Sequence, residues 1–254
     1  MQPGPLREQP ATAPLLSALG LRKQYGALVV LDGVDFELRR GDAVGIVGPN
    51  GAGKTTLLSL LSGAQPATAG CIAFRGADVS PLDAARRCRL GIARTHQVPQ
   101  PFGGMTVFEN AYTAATHGGG LAHERACESA IDALELCGMS RLANRRAETL
   151  GLLDRKRLEL TRALATQPQV LLLDEIGGGL TDGEADELVH TIRVLHGRDI
   201  AIVWIEHIVH VLLQVAQQLV CMDAGRVIAR GDPHEVLANA SVVDAYLGAT
   251  HGPA

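Results

Sequence analysis

The sequence predicts an α/β fold in which a largely parallel sheet is covered by helices. Two observations carry this. In the first, the buried-strand run Ala43-Val44-Gly45-Ile46-Val47 leads without a gap into Gly48-Pro49-Asn50-Gly51-Ala52-Gly53-Lys54-Thr55-Thr56. A helix-period run, Leu57-Leu58-Ser59-Leu60-Leu61, follows and stops at Gly63. In the second, the same alternation returns late in the chain: apolar Val170–Leu173, a helical pattern over Asp182–Leu195, then apolar Ile200–Ile205. Strands that alternate with helices favour parallel pairing, and ligands then gather beyond the carboxyl ends of the strands. A chain of 254 residues can bury the core of one large unit, with room for a smaller subdomain.

Taken in order, Met1–Ala13 is proline-rich without an apolar block and reads as a mobile tail, not a signal peptide. Short strands are expected at Leu15–Leu21, Val29–Leu31 and Val34–Leu38, closed by a turn at Arg40-Gly41-Asp42. Beyond the glycine-rich loop and its helix, strands are expected at Gly70–Phe74 and Ile92–Thr95. Helical patterns then take over at Thr106–Ala115, His123–Cys137 and about Asp154–Thr166, with His117-Gly118-Gly119-Gly120 as a connector. Residues 98–165 therefore read as a helical insertion. After Ile205 come a helix from His207 to about Val215, a hairpin at Leu219–Met222 and Arg226–Ala229, two short helices, and a polar tail at 249–254. The body of the domain is 14–248.

Composition narrows the function. Apolar residues make up 46% and charged residues 20%, and the formal net charge is -4, which argues against a nucleic-acid partner held by bulk electrostatics. No apolar stretch approaches the roughly 20 residues of a membrane-spanning helix. The five cysteines show no C-x-x-C spacing, as expected for reduced thiols in a cytosolic protein. His207 and His210 suggest a metal site at first sight, but no third ligand lies nearby in sequence.

The run from Gly48 fits G-x-x-x-x-G-K-[ST] with the strand and helix that this pattern requires. Gly51 and Gly53 let the backbone wrap with its N–H groups inward, which makes a concave anion cradle aligned with the dipole of the following helix. Lys54 then reaches terminal phosphates, and the Thr55 hydroxyl is placed to ligate Mg²⁺. A glycine turn that binds nothing would not need both flanks. The chain is expected to bind a nucleoside triphosphate.

Other candidates are weaker when taken singly. Asp174-Glu175 ends an apolar strand, where an acidic pair is often only a solvated edge. With a phosphate loop upstream, the first carboxylate would hold Mg²⁺ and the second would act on an attacking water. His207 follows another apolar strand, on the same sheet edge as Asp174; a lone histidine opening a helix is more often structural. Gln97 after a short strand is ambiguous in the same way. Tyr25 could stack on a flat base or be an ordinary aromatic.

The order of these parts is what resolves them. From about Leu15 to Leu247 the chain resembles the ATP-binding subunits of ATP-binding cassette (ABC) transporters. Its closest likeness within them is to the ATPases of branched-chain amino acid importers. The segments that carry the narrower resemblance are Gly91–Gln97, Met105–Asn110, Arg157–Leu160 and Ala245–Gly248. It implies the P-loop NTPase fold of ABC ATPases, with an antiparallel β subdomain and an inserted helical subdomain. It also implies that Tyr25 stacks on adenine and that Gly48, Pro49, Asn50, Gly51, Ala52, Gly53, Lys54, Thr55 and Thr56 hold ATP and Mg²⁺. Gln97 would sense the γ-phosphate, join the metal's shell and link it to the membrane partner. Asp174 would bind Mg²⁺ through water, Glu175 would polarise the attacking water, and His207 would contact the γ-phosphate. The implied partners are integral-membrane permease subunits, a second ABC ATPase subunit in a homo- or heterodimer and, indirectly, a periplasmic substrate-binding protein. The implied location is cytoplasmic, peripheral on the inner face of the cell membrane.

The pattern breaks in two places. The family's signature resembles L-S-G-G-Q and closes on ATP held by the other subunit, whereas this chain reads Leu150-Gly151-Leu152-Leu153-Asp154. Gly151 keeps backbone N–H groups for a phosphate but lacks the serine hydroxyl, a bond to a charged group worth about 1.5–3 kcal/mol. After Glu175, Ile176 takes the usual proline place and Thr181 stands where Asp or Asn is usual. With Lys54, Glu175 and His207 intact, hydrolysis is expected to survive. Two alternatives stay open: a regulatory nucleotide-binding subunit of a heterodimer with one weakened composite site, and an ATPase that moves lipid or polysaccharide.

Overall fold

The structure is a computed structural model that describes residues 13–248. The expected tails at Met1–Ala13, apart from Ala13 itself, and at 249–254 lie outside the described residues. In chain order the elements are β1 (Leu16–Tyr25), β2 (Leu28–Leu38), β3 (Ala43–Val47), α1 (Lys54–Ser62), β4 (Ala69–Phe74), β5 (Ala77–Asp78), α2 (Ala84–Leu90) and β6 (Ile92–Arg94). Next come α3 (Val107–Thr113), α4 (His123–Leu136) and α5 (Leu152–Ala165). Then follow β7 (Val170–Asp174), α6 (Asp182–His196), β8 (Ala201–Ile205), α7 (Val209–Leu212), β9 (Gln218–Asp223), β10 (Arg226–Gly231), α8 (Pro233–Ala238) and α9 (Ala240–Gly248).

Two sheets organise these elements. A six-stranded sheet runs β10-β9-β3-β8-β7-β6 and is parallel except at the β9–β10 hairpin. A four-stranded antiparallel sheet runs β2-β1-β4-β5. The central strands β3, β7 and β8 are buried along their whole length, which explains their unbroken apolar sequences. Their side chains still alternate between two cores. Leu172, Val203 and Ile205 face a cluster with α1 and Phe36, whereas Leu171, Leu173 and Trp204 face the helices α5 and α6.

Several expectations shift for identifiable reasons. The two strands expected over Val29–Leu38 are one, β2, paired along β1 across register shifts that absorb the irregular pattern. Helix α2 has no apolar stripe to announce it, because its one buried side chain is Arg87. That guanidinium donates to the carbonyls of Leu60 and Leu61 at 2.6 and 3.0 Å, covering the otherwise open end of α1. The helix expected from His207 to about Val215 contracts to Val209–Leu212, because Ile208 is extended at ψ 90 and leaves His207 outside it. Thr106 begins α3 with a capping box to Glu109, as its side chain chemistry allows.

Candidate functional site

Parallel pairing brings the carboxyl ends of β3, β8, β7 and β6 to one edge, with Asp174 beside Ile205 and Arg94 beside Leu172. The loop Gly48–Gly53 leaves β3 at that edge. Gly53 has a left-handed φ of 96, and a Cβ there would lie 2.7 Å from Leu31 Cδ2 and 2.9 Å from the Val30 carbonyl. Only glycine lets the chain turn tightly into α1 against β2. The result is a cavity of about 250 Å³ walled by Asn50–Thr56, Val30 and Glu175.

Lys54 lies buried at the start of α1, its ammonium donating to Gly48 O at 2.7 Å and Pro49 O at 3.0 Å. Burial pulls its pKa below the ordinary value, while Glu175, Cys221 and Asp174 push it back. The ammonium is thus satisfied by two carbonyls that a phosphate oxygen would outcompete, since charge-assisted bonds are about twice as strong.

Glu175 is the meeting point of the site. It follows β7 with a left-handed φ of 47, a conformation that costs a non-glycine residue energy and collects at functional sites. The Glu175 amide donates to Ile205 O at 2.9 Å, which locks that turn against β8. Its side chain is gripped from both sides: Gln97 Nε2 donates to Oε2, and His207 Nε2 lies 2.7 Å from Oε1. A carboxylate only accepts, so the imidazole proton sits on Nε2. Gln97, Glu175 and His207, far apart in sequence, therefore form one hydrogen-bonded row.

Asp174 is buried at the end of β7. Thr55 Oγ1 donates to its Oδ1 at 3.4 Å, and Arg94 Nη2 donates to its Oδ2 at 2.7 Å. The Thr55 hydroxyl and the Asp174 carboxylate are hard oxygen donors of the kind Mg²⁺ takes. Among the described residues no group of three or more His, Cys, Asp or Glu could hold a metal alone.

Two expected residues lie elsewhere. Tyr25 ends β1 outside the cavity lining, its hydroxyl donating to Gln65 Oε1 and its ring 4.9 Å from Lys23 Nζ. Gly151 is the extended N-cap of α5, with φ −69, and no side chain satisfies the helix start. Leu152 is 47% exposed and leans over Gly179, in the loop that follows Glu175. The two substitutions in that loop have structural explanations. Ile176 is buried in the core, and Thr181 caps α6 in a reciprocal box with Glu184.

Sequence reasoning missed three side chains that act on the site. Arg94 stands inside the run Gly91–Gln97, and its place at the end of the expected strand Ile92–Thr95 was the available signal. Buried Glu206 accepts from Gly177 N at 2.8 Å and so holds the loop after Glu175. Tyr246, from α9, accepts from the Gly48 amide at 2.8 Å; its segment Ala245–Gly248 carried the family resemblance, but nothing in it pointed to the phosphate loop.

The comparisons agree with this geometry. The sequence model described as ABC transporter matches residues 31–177, and that of the branched-chain amino acid ATP-binding cassette transporter matches 226–252. The LivG protein of Salmonella typhimurium, named a high-affinity branched-chain amino acid transport ATP-binding protein, is 36% identical, with 92% of this chain and 98% of that protein covered. The correspondingly named BraF of Pseudomonas aeruginosa is 32% identical, covering 92% of this chain and 98% of that protein. A crystal structure of the ADP conformation of an ABC transporter's ATP-binding cassette aligns with a TM-score of 0.85 at 31% identity, covering 93% of this chain and all of that one (100%). A strand-flanked phosphate loop, a carboxylate pair ending β7, and these likenesses over nearly the full length make one statement: the chain belongs to the ATP-binding cassette family of ABC transporters, in its branched-chain amino acid group.

Proposed function

We propose that this chain hydrolyses ATP with Mg²⁺ to drive an importer of branched-chain amino acids. In that role it docks from the cytoplasm on the inner face of the membrane, against two permease subunits that a periplasmic binding protein supplies. The observation that carries the enzymatic reading is the single carboxylate, Glu175, held between Gln97 and His207 at the mouth of the Lys54 loop.

The residues divide the work. Backbone N–H groups from Gly51 to Thr56 and the Lys54 ammonium hold the phosphates, and Tyr25 offers its exposed ring to the adenine. Thr55, Asp174 and Gln97 would hold Mg²⁺, which when bound would supply positive charge against the phosphate oxygens. Glu175 accepts a hydrogen bond from the attacking water and aligns it in line with the leaving oxygen. His207 keeps that carboxylate oriented from the opposite side to Gln97, and His207 donates to the terminal phosphate once freed. Gly151 and the first amides of α5 serve the nucleotide of the second cassette. In the complete permease complex, Glu175→Gln should lower turnover at least a hundredfold while nucleotide still binds. Equal turnover in variant and wild type would defeat the enzymatic reading.

One observation favours a second reading, a weak composite site in a heterodimer: the start of α5 presents no hydroxyl and an exposed Leu152. Mixed with a cassette that has serine at that place, the chain would form an asymmetric dimer turning over at one site. Two equal sites in a homodimer would reject it.

A further inference from the structure

We propose that Tyr246, on the last helix, is a positioning residue for the phosphate loop. It would act by holding the Gly48 amide in the orientation that the cradle needs. This rests on the reading of that loop as the nucleotide site.

Tyr246 Oη accepts a hydrogen bond from Gly48 N at 2.8 Å, between residues 198 apart in sequence. Gly48 has little freedom to seek another partner. Its φ is 143, and a Cβ would stand 2.0 Å from the Met222 carbonyl, so the loop's first residue is pressed against the end of β9. The amide points to Tyr246 on α9. A backbone N–H in that place without an acceptor would be costly, and the phenol supplies one. Tyr246 is partly exposed, and the partial burial of its phenol raises the pKa above the ordinary value, so it stays neutral at pH 7.

The contact is also narrow. A cavity of about 650 Å³ lies between α9 and the outer side of the loop, bordered by Pro49, Asn50, Asp223, Ser241 and Asp244. Among the described residues, the Tyr246 bond is the hydrogen bond that bridges α9 and the loop. On the inner side, Gly48 O is held by Lys54 Nζ at 2.7 Å. When Lys54 turns to a phosphate, that inner tie is released and the Tyr246 tie remains. A loop braced in advance loses less freedom on binding, so the brace adds affinity.

The test uses the full chain carrying Tyr246→Phe, which keeps the ring and removes only the hydroxyl. Hydrogen exchange at the Gly48 amide, measured without nucleotide, should speed about three- to tenfold, the range of one neutral hydrogen bond. Amides of β6 and α4, remote from α9, should not change. The dissociation constant for a fluorescent ATP analogue should rise by a similar factor. Unchanged exchange at Gly48, or nucleotide affinity equal to or tighter than wild type, would overturn the proposal. If wild type bound no nucleotide at all, the reading of the loop would fail, and the exchange measurement would still decide what Tyr246 does to Gly48.

Discussion

Arg94 Nη2 donates to Asp174 Oδ2 at 2.7 Å while Nη1 of the same guanidinium donates to Ser59 Oγ at 2.9 Å. One side chain thus ties the end of β6 to α1 and to the carboxylate assigned to Mg²⁺. Asp174 is 2% exposed, and the Arg94 guanidinium is the cation paired with it there.

Removing that cation exposes its purpose. Arg94→Met should destabilise the protein by about 3–5 kcal/mol, the cost of leaving one member of a buried pair alone. Added Mg²⁺ with nucleotide should narrow the gap in melting temperature by supplying positive charge to Asp174. Arg94→Lys should rescue only in part, because a compact ammonium does not offer the two separated nitrogens that Arg94 directs to Ser59 and Asp174. Melting curves with and without Mg-nucleotide check this; identical curves for wild type and Arg94→Met would refute it.

Gly151 can be given back the hydroxyl it lacks. Its φ is −69 and nothing lies within 4 Å of the position a Cβ would take, so serine fits without strain. Gly151→Ser should raise turnover of the assembled transporter about ten- to a hundredfold, in line with one hydrogen bond to a charged group. The affinity of the isolated subunit for nucleotide should stay unchanged, since the hydroxyl serves the partner's site. The measurement is ATPase rate in the complex beside nucleotide binding to the subunit alone.

Glu206 sets a pH dependence. Burial, chiefly, raises its carboxyl above the ordinary 4.5, and the charge of Glu175 adds to this, while the Gly177 and His207 amides and Lys156 oppose it. Below the unfolded pKa the group is neutral in both states and costs nothing. As pH rises toward and past the folded pKa, ionisation favours the unfolded chain and stability is lost. Glu206→Gln keeps an acceptor for Gly177 N–H without the charge. The two melting temperatures should therefore converge below the ordinary carboxyl pKa of 4.5 and part as pH rises above it. The variant should then be higher by about 2–4 °C for each kcal/mol relieved. A constant difference across the range would contradict this.

With Glu175→Gln and Tyr246→Phe, these substitutions separate the roles in the site. Loss of turnover with binding kept marks Glu175, weaker binding marks Tyr246, and a melting gap that Mg-nucleotide closes marks Arg94.

Much of this was legible in the chain itself. The run Ala43–Leu61 specified strand, loop and helix together, because a phosphate cradle is a local object: its donors are consecutive amides and its glycines lie within six residues. The apolar runs that became β7 and β8 likewise declared burial on both faces. Helix α2 was not legible, since its buried face is a single arginine. The helix after β8 was overextended because a histidine and apolar residues at helical spacing do not reveal that Ile208 is extended.

The sequence by itself pointed to the family and the nucleotide loop, and through that resemblance it singled out Asp174, Glu175, Gln97 and His207 as candidates. Each sits at a strand end or in a loop where residue type and spacing carry the chemistry. Only the tertiary structure decided which groups touch: that Gln97 and His207 share one carboxylate, that Arg94 neutralises Asp174, and that Tyr246 reaches Gly48. The physical reason is that parallel pairing and helix packing convert separations of 32 to 198 residues into hydrogen bonds. No pattern within one segment encodes the register that does so.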